Sequence, residues 1–168
     1  PKKRGYGDLD LADCLKAFTE TETLDGKNKY HCESCRAPQP STKKLTIYRF
    51  PPVLILHLKR FESSTSSLTG RTTVHAKDNC LVRCATEALD LSPYCSTSAR
   101  ALAKDRPMVY DLFAVSNHSG SLHGGHYTAH AKCGQQWYSF NDSVVSPVSS
   151  SMVISREAYV LFYRRRTR

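Results

Sequence analysis

Gly124-Gly125-His126 and Asn141-Asp142 are where this sequence places side chains able to move protons. An imidazole works as a general base near neutral pH when a neighbour fixes its tautomer, and an amide or a carboxylate can do that. Glycines ahead of the histidine permit positive φ and, having no Cβ, let a substrate chain come close. A Cys-His-Asn or Cys-His-Asp site has these parts, with its nucleophile often far away in sequence. The same residues also make an ordinary glycine-rich turn with a surface histidine and an Asn-Asp turn. On residue chemistry alone both readings stay open.

Cys32 and Cys35 form the second constellation, in Tyr30-His31-Cys32-Glu33-Ser34-Cys35-Arg36. Two thiolates at Cys-x-x-Cys spacing can hold one Zn2+ from a tight turn, but a structural site needs four ligands. The other ligands could come from a pair upstream of residue 1, from Cys80 and Cys84, or in part from His31. Redox chemistry uses the same spacing, though no thioredoxin-like βαβ pattern surrounds it. Two free thiols in a turn is the plain alternative. Cys14 lies within an amphipathic segment with no cationic neighbour or helix N-terminus to favour thiolate, and is read as a packing or surface residue.

These residues need elements to position them. Tyr127 to Lys132 is a β-prone run, Cys133-Gly134-Gln135-Gln136 a turn, and Trp137 to Phe140 a returning strand. In that hairpin Asn141 or Asp142 comes back beside His126. Upstream, Leu9, Leu11, Leu15 and Phe18 have helical spacing over residues 8–19, with Asp10 or Asp13 available to cap. Asp25-Gly26 is a turn. Residues 41–50 alternate as a strand, and Val53 to Leu58 is a continuous apolar run between Pro51-Pro52 and Lys59-Arg60. That run predicts a buried central strand in which His57 is a satisfied core histidine. Residues 63–70 are Ser/Thr-rich and predict a loop. No clean period emerges over residues 71–106, where residues 95–106 read as an exposed or weakly helical excursion. Met108 to Val115 and Ala158 to Tyr163 predict strands. A helix in the first half and strands dominating the second give an α+β class with a largely antiparallel sheet.

The 168 residues, 40% hydrophobic and 23% charged, suit one globular domain. No apolar run approaches the roughly 18 to 20 residues of a membrane span, and no apolar h-region follows the first residues. The charged start without an initiator Met reads as part of a longer protein. A net charge of +9 is spread along the chain, apart from Lys2-Lys3-Arg4, Lys43-Lys44 and the arginines of residues 164–168. Dispersed basic charge fits an acidic partner, nucleic acid or simple solubility. The C-terminal arginines are read as an exposed tail, with a localisation signal as the other use. No RNP-like aromatic signature or two-pair zinc-finger spacing favours nucleic acid. Seven cysteines, an odd number, point to a reducing compartment rather than a disulfide framework.

Taken together and in order, several blocks resemble the C-terminal half of the catalytic domain of ubiquitin-specific proteases. They are Leu11-Ala12-Asp13-Cys14-Leu15, the Cys32/Cys35 segment, and Phe50-Pro51-Pro52-Val53-Leu54-Ile55-Leu56-His57-Leu58-Lys59-Arg60-Phe61. Next come Tyr110-Asp111-Leu112-Phe113-Ala114-Val115-Ser116-Asn117-His118-Ser119-Gly120, Gly124-Gly125-His126-Tyr127-Thr128-Ala129, Phe140-Asn141-Asp142-Ser143 and Ala158-Tyr159-Val160-Leu161-Phe162-Tyr163. The resemblance covers most of residues 8 to 163, and the joint order of the blocks makes it specific.

The resemblance implies a papain-like cysteine protease fold, here the palm and part of the fingers, with the N-terminal thumb outside this chain. Residues 1–168 are then the C-terminal part of a single catalytic domain. The implied activity is thiol-dependent hydrolysis of the isopeptide or peptide bond after the C-terminal glycine of ubiquitin. His126 matches the general base, Asn141 the third triad member, and Asp142 an adjacent residue implicated in catalysis. Gly124, Gly125 and Tyr127 match positions lining the channel for ubiquitin's Gly-Gly tail. Cys32 and Cys35 match the second ligand pair of a structural zinc, with the first pair upstream. The implied partners are ubiquitin and ubiquitinated proteins, with no membrane and no nucleic acid, in the cytoplasm or nucleus. No Gly-Asn-Thr-Cys-like box occurs in this sequence, so the nucleophile is expected outside the chain, and the fragment alone is expected to be inactive. The usual Phe-Pro before Leu89-Asp90-Leu91 is also missing. A catalytically inactive ubiquitin-binding or scaffold module is the alternative, and a basic zinc-containing nucleic-acid module a third.

Overall fold

A run of alternating burial organises the molecule. A computed structural model describes residues 7–61, 63–65, 72–74, 77–103 and 106–167, with backbone alone for 63–65 and 72–74. In the strand Val109–Ser121, Tyr110 and Leu112 are buried, and then the phase shifts so that Val115 and Asn117 are buried. A register shift against the neighbouring strand between Leu112 and Ala114 accounts for the change, since one extra residue turns every later side chain over.

This strand belongs to a seven-stranded sheet, whose strands we number in chain order: β1 (Val53–His57), β2 (Leu89–Asp90), β3 (Val109–Ser121), β4 (Gly124–Cys133), β5 (Gln136–Asn141), β6 (Val144–Val148) and β7 (Ala158–Arg165). The spatial order is β6-β5-β4-β3-β7-β1, with β2 also paired to β3, and every pairing is antiparallel. Strands β3 to β6 form one uninterrupted meander. The turn between β4 and β5 has Gly134 at φ +59°, the left-handed conformation that glycine adopts without a steric penalty.

Register sorts the two faces. Val115, Asn117, His126, Thr128, His130, Leu161 and Tyr163 share one face, and Val115, Leu161 and Tyr163 are fully buried there. The helix α1 (Leu11–Thr19) adds Leu11 and Leu15 to that core, one turn apart. Asp10 stands at its N-terminus without capping it, because its carboxylate is taken by Arg83 at 3.0 Å. The second helix, α2 (Thr97–Ala103), is capped by the Ser96 hydroxyl, which accepts from the Ala99 N–H at 3.0 Å, and buries Ala99 and Ala103. Tyr110 and Tyr163 are wholly buried, and each hydroxyl donates to a carbonyl, of Pro51 at 2.7 Å and Ala85 at 2.8 Å.

Several expectations change. Val53–His57 is not a central strand. It pairs only with β7 among the described residues and alternates, with Val53, Ile55 and His57 exposed on the face away from the core. His57 is therefore no core histidine; its ring stands edge-on to Tyr159. Only residues 41–43 of the 41–50 segment are strand, paired with Glu22–Leu24. Residues 63–65 pair with 72–74 rather than forming a loop, and residues 66–70 of the expected loop lie outside the described residues. Within the uncertain 71–106 stretch, Leu89 and Leu91 are core residues and 97–103 is helix. The terminal arginines are not all free. Arg164 and Arg165 lie in β7, and Arg166 holds Asp111 with two of its nitrogens at 2.8 Å. No helix among the described residues is long and apolar enough to cross a membrane.

Candidate active site

The β4–β5 hairpin does what its sequence demands. Ala129 pairs with Phe140 and Lys132 with Trp137, so Asn141 ends β5 beside Thr128 and on the same face as His126. His126 Nε2 lies 2.6 Å from Asn141 Oδ1. An amide oxygen only accepts, so Nε2 carries the proton and Nδ1 is left as the free base. Among the described residues this is the only side-chain hydrogen bond His126 makes, and both side chains are exposed. Asp142 follows in the turn to β6 at φ +50°, a strained conformation for a residue with a side chain.

The glycines do less than one expectation and more than another. Neither Gly124 nor Gly125 has positive φ; both are extended residues of β4. The positive-φ position in the β3–β4 hairpin is Gly120, at φ +117°. Gly125 is required by crowding, since a Cβ there would lie 2.4 Å from both His118 Nε2 and the Ser119 carbonyl oxygen. Gly124 has nothing within 4 Å of such an atom, which leaves open space in front of it.

His118 is the site residue that pattern reading missed. It pairs with Tyr127 across β3 and β4, and its ring is covered by Tyr127 at 4.7 Å, Tyr159 at 5.6 Å and Phe61 at 5.7 Å between centroids. Its signal was the cross-strand register, which only the turn at residues 121–124 reveals. Burial pushes its imidazole below the ordinary value, the Lys77 ammonium reinforces this, and Glu157 opposes it. The Lys77 ammonium also donates to the His118 carbonyl. The ring is thereby biased toward its neutral form, and Tyr127 stands half-exposed over it, next to His126 in the strand.

No cysteine of this chain bonds to His126 among the described residues. Cys133 ends the same strand, seven residues from His126, or roughly 23 Å at the rise of a strand. Cys80 is in the core, and burial pushes the Cys84 thiol up to about 12, helped by Cys14 nearby. A thiol held that far from ionisation is no nucleophile. Burial raises Cys14 as well, in keeping with a packing role.

At the other constellation, Cys32 ends the strand Tyr30–Cys32 and Cys35 sits in the turn before Ala37–Gln39, with Arg36 at φ +52°. The Cys35 N–H and thiol and the Ser34 N–H beside the Cys32 sulfur favour its thiolate and lower its pKa. Two converging sulfurs, one poised toward thiolate, fit half of a tetrahedral zinc site. Neither His31 nor the Cys80/Cys84 pair completes it, because no three His, Cys, Asp or Glu residues converge among the described residues.

The family model described as ubiquitin carboxyl-terminal hydrolase matches residues 13–163. The chain belongs to that family. Ubiquitin carboxyl-terminal hydrolase 2 of Gallus gallus is 45% identical over 166 residues, covering 96% of this chain and 42% of its own length. Ubiquitin carboxyl-terminal hydrolase 21 of Homo sapiens is 43% identical over 164 residues, covering 96% of this chain and 27% of its own length. The chain thus spans less than half the length of these curated relatives. Among solved structures, a chain of the SAGA Ubp8/Sgf11/Sus1/Sgf73 DUB module bound to ubiquitin aldehyde superposes with a TM-score of 0.71 at 35% identity, over 95% of this chain and 36% of that one. The α+β, papain-like class expected from the sequence is the class observed.

Proposed function

We propose that the complete protein is a thiol-dependent deubiquitinase that cleaves the isopeptide or peptide bond after ubiquitin's C-terminal glycine, and that this chain supplies the base side of its site. The observation that carries the reading is the 2.6 Å contact of His126 Nε2 with Asn141 Oδ1, which leaves Nδ1 free for a thiol proton. The names of the relatives and the ubiquitin aldehyde on a structural neighbour support the substrate.

In this mechanism a cysteine from outside the chain gives its proton to Nδ1, and the thiolate attacks the carbonyl carbon of ubiquitin's last glycine. The tetrahedral adduct collapses as the imidazolium returns the proton to the leaving amine. A thioester remains, and water activated by the same base hydrolyses it. Asn141 is the orienting residue and Asp142 acts beside it. Gly124, Gly125 and Tyr127 line the channel for the Gly-Gly tail, where the open space before Gly124 admits a slender chain. Cys32 and Cys35 would supply two of the four ligands of a structural Zn2+, which would brace the turn between them and stand apart from the chemistry. The partners are ubiquitin and ubiquitinated proteins. Seven free cysteines suit the cytoplasm or the nucleus, where thiols stay reduced.

The test is hydrolysis of a ubiquitin C-terminal amide by the full-length protein. His126→Ala abolishes turnover, and Asn141→Ala lowers kcat by about 10²-fold with KM little changed. Wild-type activity in His126→Ala overturns the assignment. Since no cysteine of this chain faces Nδ1, a non-catalytic ubiquitin-binding module is the second reading. Ubiquitin binding with no turnover in the wild-type full-length protein favours it.

A further inference from the structure

At the end of the sheet remote from His126, residues 45–52 run alongside α2. A parallel bridge between Ile47 and Cys95 tethers them, with the Ile47 N–H donating to Tyr94 O at 3.0 Å and the Ser96 N–H to Ile47 O at 3.1 Å. Between the segment and the helix lies a groove of about 460 Å³. Its apolar wall includes Pro52, Tyr48 and Leu102, the last two 60% and 61% exposed. Its rim carries Arg49, Arg106 and Arg165.

Charge composition separates this groove from two other surface concavities among the described residues. One of them contains two carboxylates, Glu87 and Asp111, which pair with Lys132 at 3.7 Å and Arg166 at 2.8 Å, beside Arg164 and Arg165. In the one beside α1, Lys43 faces Glu22 at 3.8 Å. The groove at α2 has three guanidiniums and, among the described residues, no carboxylate in its lining and no salt bridge to any of the three. Arg165 is moreover held in place, its Nη1 donating to Phe50 O at 2.8 Å and its backbone N–H to Pro52 O at 2.9 Å. An arginine fixed at an apolar edge is prepared to take a carboxylate with its remaining donors.

We propose that this groove docks a short segment of a partner protein in which leucine or phenylalanine anchors are flanked by aspartate or glutamate. The apolar wall sets the anchors and the unbalanced arginines set the flanks, the general form of a helix or strand laid in a groove. Nucleic acid fits less well, because phosphates alone leave Leu102 and Pro52 uncovered. The site is separate from the base. Tyr110, the partner of Arg165, and Ser119, the partner of His126, are nine residues apart on β3, roughly 30 Å along the strand. It can therefore be occupied while the catalytic face is engaged.

Fluorescence anisotropy with the full-length protein tests this. The probes are a labelled peptide with leucine and phenylalanine between glutamates, the same peptide with lysines for glutamates, a serine version lacking the anchors, and a single-stranded oligonucleotide. The glutamate peptide binds, and the other three bind at least about tenfold more weakly. Leu102→Glu and Arg106→Glu each weaken it about tenfold or more. Leu102 is exposed, so its variant keeps the wild-type thermal midpoint. Equal binding of the lysine peptide, preference for the oligonucleotide, or indifference to both substitutions overturns the proposal. So does failure of the glutamate peptide to bind the full-length protein, the result expected if another part of that protein fills the groove.

Discussion

Gly124 and Gly125 are neighbours with opposite demands. A Cβ on Gly125 meets the Ser119 carbonyl, backbone that has nowhere to go, whereas a Cβ on Gly124 meets nothing. Gly125→Ala is expected to cost about 1–3 kcal/mol of stability and to disturb His126. Gly124→Ala is expected to leave the melting temperature unchanged and, if Gly124 lines the channel proposed above, to raise KM for a ubiquitin C-terminal amide. Thermal melts and steady-state kinetics on the pair separate the two roles. His118 gives a pH signature at the same place. Its folded pKa is depressed, so the unfolded chain binds the proton first as pH falls. Its contribution is complete above the ordinary value of 6.5 and is lost as pH drops through the lower folded value. Chemical denaturation from pH 7.5 down to 5 is expected to show this fall, and His118→Gln to flatten it. The pairing of His126 with Asn141 was legible in the sequence because the hairpin between them is short and its turn chemistry plain. His118 was not, because its neighbours Tyr159 and Phe61 arrive from distant parts of the chain.

Among the elements, Arg60 is the clamp that joins β7 to the core. It is 3% exposed, and its guanidinium donates to Ala158 O at 2.8 Å, Asp78 O at 2.9 Å and Cys80 O at 2.8 Å. Three carbonyls from two segments lose their partner if it is removed. Arg60→Met keeps the volume of the stem but not the donors, and is expected to cost about 3 kcal/mol, read as a lowered urea midpoint with unchanged slope. In the sequence Lys59-Arg60 reads only as the polar end of a strand. Element type was legible where the period was long, as in α1 and β3. It was not where two residues decide it: the helix at 97–103 contains three alanines and no large apolar side chain on its buried face, so no hydrophobic period announces it.

For the molecule as a whole, the two faces of the sheet are unequal. One is the core, and the other carries Val53 and Ile55, 45% and 58% exposed, together with Tyr127 and Phe140. An apolar run such as residues 53–58 looks the same in sequence whether a second layer covers it or not, which is why β1 was read as central. A long apolar edge strand promotes self-pairing. The 168-residue chain in isolation is expected to self-associate with rising concentration, and Val53→Thr with Ile55→Lys to suppress this while costing less than about 0.5 kcal/mol. Light scattering after size exclusion, beside a thermal melt, measures both.

The β3–β6 meander has a consequence for the order of events in folding. His126 and Asn141 are separated by 15 residues and joined by one hairpin, whereas Arg60 must find Ala158 across 98. Closing the short loop is the faster step. His126 and Asn141 are therefore brought together early and locally, as a cassette, before the Arg60 clamp has closed. In the mechanism proposed above the thiol comes last, docking against a proton acceptor that is already waiting.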